Sequence, residues 1–534
     1  MTGSSPPPWS RRRFLGVAGA GAAALALGGC QDDGNAERGP IDPSATTSTA
    51  PPEPELETLE PVDHGDAQGA PPFGLGVASG DPDHESVVLW TWVDREPSAP
   101  VALLVEVARD DAFESIVVRQ ELTADPAAAM TARTVVGGLA SDTRHWFRFV
   151  LDGHITPPAR TRTAPAPGDL PDQVLRIGHL SCQRWSSGYW TALDDVADQA
   201  PDVVVHCGDY VYESDGGSVR PVDDDPPTDL DGYRALWRRY KAEPELQAAH
   251  AVAPWLITWD DHEVVNNYQG TATVGGPGGE ELLARRGAAY RAWWEFTPTR
   301  LDPPDGPGLD IHRVVDWGGL TRFVLLDTRQ FRDEQPCDDA VGTDLGPRCD
   351  ETATTTMLGD AQEAWFDEVA TGHDAIWTTV VQQVVVHQWR IAPGNVVWNL
   401  DQWDGYTGAR RRFLETLSRS AAPVVLSGDV HSSWVADLRV DFDDDESPVI
   451  GAELVAPGIS SDIPARLRQA SALVETLSPH IAWSETTKRG WVLHEVDADG
   501  WRAAYRLVDD VSVPDGTVTE ATAWAISAGT PGLA

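Results

Sequence analysis

Lysine is nearly missing from this chain: Lys241 and Lys488 are the only two in 534 residues, so arginine carries almost all the positive charge. Acidic residues outnumber basic ones by 83 to 40, for a formal charge of -43. That balance disfavours nucleic acid or an anionic membrane surface as a passive partner, since both select clustered positive charge. No apolar run is long enough to span a bilayer, no internal repeat is visible, and the strand-to-helix turns hold no Gly-x-Ser-x-Gly elbow of a seryl hydrolase. Cysteine is scarce, with five residues, and these fall into different classes. Cys337 and Cys349 flank a Gly/Asp/Pro-rich loop and are expected to form a disulfide. Cys207 ends a buried strand and reads as a small hydrophobe.

What is present begins with an address. Ser10-Arg11-Arg12-Arg13-Phe14-Leu15 precedes the short Ala/Gly/Leu run Gly16–Gly29, an order that resembles a twin-arginine export signal. Leu27-Gly28-Gly29-Cys30 resembles a lipobox, with Cys30 as the lipidated residue and membrane anchor. Ordinary cleavage, leaving a periplasmic or secreted protein, is the alternative. Residues 1–30 are therefore assigned to the signal. Residues 31–72, rich in Pro, Ser, Thr and acids, read as a disordered linker. Between 73 and 165, short alternating strands separated by turn residues predict a small fibronectin- or immunoglobulin-like β-sandwich. A Pro-rich run ending at Pro171 marks a boundary. Residues 172–510 then alternate strands and amphipathic helices, an α/β domain, and 511–534 read as a C-terminal tail.

The chemistry lies at the strand ends. DVVVHCGDYVYE at Asp202–Glu213 and VVLSGDVH at Val424–His431 are β-branched runs that end in Gly-Asp. Open α/β sheets place their sites at such ends. Cys182, Asp209, Tyr212, the Asp260-Asp261-His262-Glu263 run, Asp429 and His431 lie at or near the ends of predicted strands, and Gln383 lies inside a fifth, TTVVQQVVV. One acid at a strand end is ordinarily a cap or a turn residue, but five sets converging on one edge predict a metal site. Carboxylates and an amide suit hard cations such as Ca²⁺ or Mn²⁺, while a phenolate and a thiolate suit ferric iron. Asp209, with two oxygens, is the natural bridge between two cations.

The motifs GVASGDP (Gly76–Pro82), SCQ (Ser181–Gln183), GDYVYE (Gly208–Glu213), WDDHEVVNN (Trp259–Asn267), LLDTRQFR (Leu325–Arg332), MLGDAQEAWF (Met357–Phe366), WDGYTGARRRFL (Trp403–Leu414) and LSGDVHSSW (Leu426–Trp434) resemble, in order, the PhoD-like alkaline phosphatases. The resemblance implies a calcineurin-like metallophosphoesterase fold: a four-layered sandwich of two mixed β-sheets flanked by helices, after the small β-sandwich. It implies Fe³⁺ held by Cys182, Asp209, Tyr212 and His431, and Ca²⁺ held by Asp209, Asp429, Asp261 and Asn267, with Gln383 as a further ligand candidate. Asn266-Asn267 stands where many relatives have an acid, which lowers the charge expected near calcium. Asp209, His262 and His431 are the catalytic candidates, with His262 a hydrogen-bond donor to the leaving group. Arg329 and Arg410 are candidates for binding substrate or for pairing with acids. The implied activity is exported, metal-dependent hydrolysis of small phosphate esters by activated water, both mono- and diesters. The alternatives are a dedicated phosphodiesterase acting on phospholipid head groups or cell-wall polymers, and a non-catalytic phosphate-binding surface lipoprotein. Oligomeric state has no signal in the sequence.

Overall fold

The β-branched runs form strands, and their pairing decides which ends meet. A computed structural model describes residues 58–534 apart from residues 97, 215, 274–275, 337–345, 348–349, 391–395, 398, 445 and 464. The export signal, Cys30, the linker up to residue 57, and Cys337 and Cys349 lie outside the described residues.

Leu175–Leu180, Val203–His206 and Pro254–Ile257 run parallel at the centre of a ten-stranded sheet. Thr321–Leu325, Trp377–Val381, Pro423–Ser427 and Val449–Val455 run parallel in a seven-stranded sheet. These strands are buried almost throughout, as parallel strands covered on both faces must be. Side chains alternate between faces at period two. Val203 and Val205 thus enter a core shared by both sheets with Ile177, Leu256, Phe323, Val381 and Leu426, while Val204 enters a different core. In that second core the helices Thr191–Gln199, Leu230–Lys241, Pro244–His250 and Gly279–Phe296 pack through Leu193, Trp237, Leu246 and Trp293. Gly359–Thr371 and Thr407–Leu417 cover the seven-stranded sheet, with Phe366 and Phe413 stacked at 4.9 Å. Each such buried side chain stabilises the fold by roughly 1.5–3 kcal/mol.

Three sequence expectations are corrected. Strands Val77–Gly80, Val87–Trp92 and Thr131–Val136 do not stand apart from the α/β domain: Gly80 pairs in parallel with Trp255, so these strands extend the ten-stranded sheet. A five-stranded sheet, including Val101–Ala108, Ile116–Ala124 and Arg144–Leu151, shares a core with them. The last part of the linker is ordered, because Leu59 bridges Ile116 and His64 Nε2 lies 3.3 Å from the buried Glu106 carboxylate. The C-terminal tail is also structured: Val518–Ser527 pairs with Gly500–Val508, and Thr530–Leu533 closes that edge. Its residues are largely half-buried or exposed, so the ladder of backbone hydrogen bonds holds it rather than an apolar face. Leu230–Lys241 and Pro244–His250 are separate helices, because Pro244 cannot continue the first and begins the second. Among the described residues, no helix is long and apolar enough to cross a membrane.

Candidate metal centre

Parallel strands deliver their C-terminal ends to one edge, and here the edges of both sheets meet. Two glycines allow the close approach. A Cβ on Gly428 would lie 2.1 Å from Ser181 Oγ, and one on Gly208, at φ +103°, would lie 2.5 Å from the backbone nitrogen of Asp260. Cys182, Asp209, Asn267, Asp429 and His431 all adopt left-handed backbone, with φ between 54° and 62°. For residues other than glycine this conformation costs roughly 1–2 kcal/mol each, and strain of this kind collects at functional sites. The packed fold thus holds five of the candidate ligands in conformations they would not choose.

Donor atoms of Cys182, Asp209 and His431 lie within 4.8 Å of one another, as do those of Asp209, Asp261 and His262, and those of Asp260, Asp261 and Asp429. Asp209 belongs to two of the three groups. Its Oδ2 accepts from Tyr212 Oη at 2.7 Å and lies 3.8 Å from His431 Nε2, while its Oδ1 accepts from the His262 backbone N–H at 3.3 Å. Tyr212 Oη also lies 3.0 Å from His431 Nε2. His431 Nδ1 lies 3.1 Å from the Asp462 carbonyl, which can only accept, so the proton sits on Nδ1 and the Nε2 lone pair faces the cluster. Asp261 Oδ1 is buried and meets no hydrogen-bond partner among the described residues. Orphaned oxygen, a free imidazole lone pair and a soft sulfur beside hard oxygens fit bound cations.

The electrostatics point the same way. Burial, reinforced by neighbouring carboxylates, pushes Asp209 and Asp429 well above the carboxylate range, and pushes the Cys182 thiol and the Tyr212 phenol up as well. Burial holds His431 down at about 3, keeping it neutral. A bound cation reverses the penalty on each of the anionic donors. His262 behaves oppositely. Burial would lower it, but Glu213, whose Oε2 is 2.6 Å from Nδ1, together with Asp209 and Asp261, holds it up at about 10.

Three candidates prove structural. The Gln383 amide oxygen accepts from Thr328 N–H at 3.1 Å and Thr328 Oγ1 at 2.6 Å, and its nitrogen donates to Thr258 Oγ1 at 2.7 Å and Leu326 O at 2.8 Å. This side chain is spent within the protein and is not a ligand. Arg410 pairs with Asp404 at 2.5 Å under the helix Thr407–Leu417. Arg329, with 0% side-chain exposure, is no free substrate binder. It donates to Asp260, to both oxygens of Asp401 at 2.9 and 2.8 Å and to Asp429 at 2.9 Å, and stands 3.8 Å from Asp261. Asn267 takes part through its backbone N–H, which donates to Asp261 Oδ2 at 2.5 Å.

Sequence reasoning missed the roles of several residues. The Glu263 carboxylate accepts from the N–H groups of Asp209 at 3.1 Å, Tyr210 at 2.7 Å and Asp260 at 2.9 Å, tying two strand ends together. Glu213 and Glu263 lie inside quoted motifs, and Arg184 directly follows SCQ. Asp401 and Asp462 carry no local signal. A cavity of about 250 Å³ shares Tyr212 and Glu213 with the cluster and is walled by Trp185, Leu236 and Tyr240.

Known proteins bear on this geometry. Residues 177–505 match the family model of the PhoD-like phosphatase, and residues 59–165 match that of its N-terminal domain. Alkaline phosphatase D of Bacillus subtilis (strain 168) is 35% identical over 469 residues, covering 84% of this chain and 79% of that protein. A solved structure described as the structure of PhoD superposes with a TM-score of 0.82 at 33% identity, covering 88% of this chain and 93% of that one. Family model, whole-chain identity and superposition agree, and the chain belongs to the PhoD-like phosphatase family.

Proposed function

We propose that this phosphatase is exported by the twin-arginine route and hydrolyses small phosphate mono- and diesters with ferric iron and calcium, on a four-layered metallophosphoesterase sandwich. Cys182, Asp209, Tyr212 and His431 would hold the iron, since an anionic phenolate and thiolate together suit ferric iron. Asp209, Asp261, Asp429 and Asn267 would hold calcium. The observation that carries this reading is the double membership of Asp209 in two donor groups. When bound, the cations supply Lewis acidity, lowering the pKa of water and offsetting charge on the phosphoryl group.

The chain's own residues do the rest. Asp462 fixes the His431 tautomer through its carbonyl. Glu213 holds the His262 proton, so Nε2–H can donate to a leaving oxygen. The cavity beside Tyr212 and Glu213 has room for the ester's alcohol. Lipidation at Cys30 would anchor the exported protein.

Elemental analysis of natively exported protein, with p-nitrophenyl phosphate and its bis-ester as substrates, tests the reading. Iron and calcium are expected, with both activities lost on chelation and restored by both metals. Full activity without iron would overturn the metal assignment, and a negligible monoesterase rate would turn the reading to the dedicated diesterase.

A pH profile tests His262. Glu213→Gln removes the strongest influence raising its pKa, so the alkaline limb of kcat/KM is expected to move to lower pH. An unmoved limb would show that another group titrates. The same pair stabilises the metal-free fold: its raised pKa gives a contribution complete below the ordinary 6.5 and lost as pH rises through about 10.

A further inference from the structure

Arg184 stands two residues beyond Cys182, on the loop that leaves the strand Leu175–Leu180. Its backbone is pinned on both sides: the N–H donates to Ser461 Oγ at 3.0 Å, and the carbonyl accepts from Ser460 Oγ at 2.7 Å. The guanidinium lies over the Tyr212 ring, with Cζ 4.4 Å from the centroid. Nη2 reaches to 3.5 Å from His262 Nε2. Nε is buried and meets no hydrogen-bond partner among the described residues. Glu213, the acid of this corner, is committed to the other ring nitrogen of His262, Nδ1.

No carboxylate pairs with Arg184 among the described residues, although the chain holds 83 acids to 40 bases. Elsewhere in the centre arginine is heavily paired, as Arg329 is with three carboxylates. A half-buried guanidinium has given up part of its hydration and ordinarily recovers the cost from an anion. Here the ring face of Tyr212 and the loop backbone fix the fork while leaving its charge unanswered. An anion from outside completes it.

We propose that Arg184 binds the phosphoryl group itself, its fork taking non-bridging oxygens of the ester and of the phosphate released. The proposal deepens the phosphatase reading above and rests on it for the substrate class. Phosphate matches the guanidinium in shape and charge, and such pairs are frequently bidentate. A monoester is a dianion with one more charged oxygen than a diester, so the contact favours monoesters. Arg184 thereby becomes a determinant of the balance between monoesterase and diesterase activity.

The test is titration of inorganic phosphate into the metal-loaded full chain by calorimetry, for the parent, Arg184→Gln and Arg184→Lys, with iron and calcium content measured on each. The glutamine variant is expected to keep its cations and to bind phosphate roughly 10- to 100-fold more weakly. Its KM for p-nitrophenyl phosphate should rise more than that for the bis-ester. The lysine variant, which keeps charge but loses the fork, should fall between. Parent-like phosphate affinity in the glutamine variant would overturn the proposal. So would loss of cations in both variants, which would make Arg184 a positioning residue for Tyr212. Because phosphate binding is read apart from turnover, failure of the phosphatase reading shows independently, as a parent protein that binds phosphate and hydrolyses neither ester.

Discussion

Replacing Asp209 with asparagine is expected to lower phosphatase activity by about a thousandfold or more, because the several kcal/mol supplied by the cations is lost. Both carboxylate oxygens are committed, Oδ2 toward Tyr212 and His431 and Oδ1 toward the His262 backbone. An amide presents N–H₂ to one of these sides, so metal retention should fall at both subsites together. Stability should move the other way. In the metal-free fold, burial and the neighbouring acids raise the Asp209 pKa. A raised carboxyl destabilises the folded state as pH climbs above its ordinary 3.8, so neutral asparagine removes a penalty at neutral pH. The variant should therefore unfold in chelator at a midpoint equal to or above the parent's. Iron and calcium content, kcat/KM and denaturant unfolding check the three parts. Retention of one metal at parental level would show that Asp209 does not bridge.

The parts of this centre that were legible in the sequence are those that sit on strand ends. VVVHCGD and VVLSGD announce buried strands by composition and a close approach by their glycines, and Asp209 and Asp429 fall where the parallel pairing puts them. Tyr212 and Cys182 needed the motif resemblance, since nothing in strand periodicity turns a phenol or a thiol toward its neighbours. Gln383 misled because a polar residue past a buried strand has two uses, and Thr258 and Thr328 claim its amide from other strands. Asp401 and Asp462 were invisible for the same reason in reverse: their roles exist only through contacts with Arg329 and His431. In the fold, the extension of one sheet through Gly80 and Trp255 depends on pairing between distant segments. The C-terminal strand lacks the apolar alternation that would mark it.

Arg329→Met should destabilise the metal-free protein by several kcal/mol, and calcium should restore much of the loss. The guanidinium is enclosed by Asp260, Asp401 and Asp429, with Asp261 at 3.8 Å. Removing one partner of a buried ion pair costs about 3–5 kcal/mol, because the other charge is left uncompensated, and here one cation answers several carboxylates. Calcium bound among Asp209, Asp261 and Asp429 would supply part of the missing charge. The contribution of Asp261 and Asp401 to the pH dependence should reverse as well. In the parent, burial acts to raise Asp261 and Asp401, but Arg329 leads the influences that hold both below their ordinary 3.8. Their contribution is complete above that value and is lost as pH falls through the lowered pKa values. Without Arg329, burial and mutual repulsion prevail, the carboxyls rise, and the metal-free variant should gain stability on acidification from neutrality toward about pH 5. Unfolding midpoints of parent and variant, in chelator and in calcium across that range, decide the matter. An equal loss with and without calcium would mean that Arg329 holds the cluster by packing and hydrogen-bond geometry rather than by its charge.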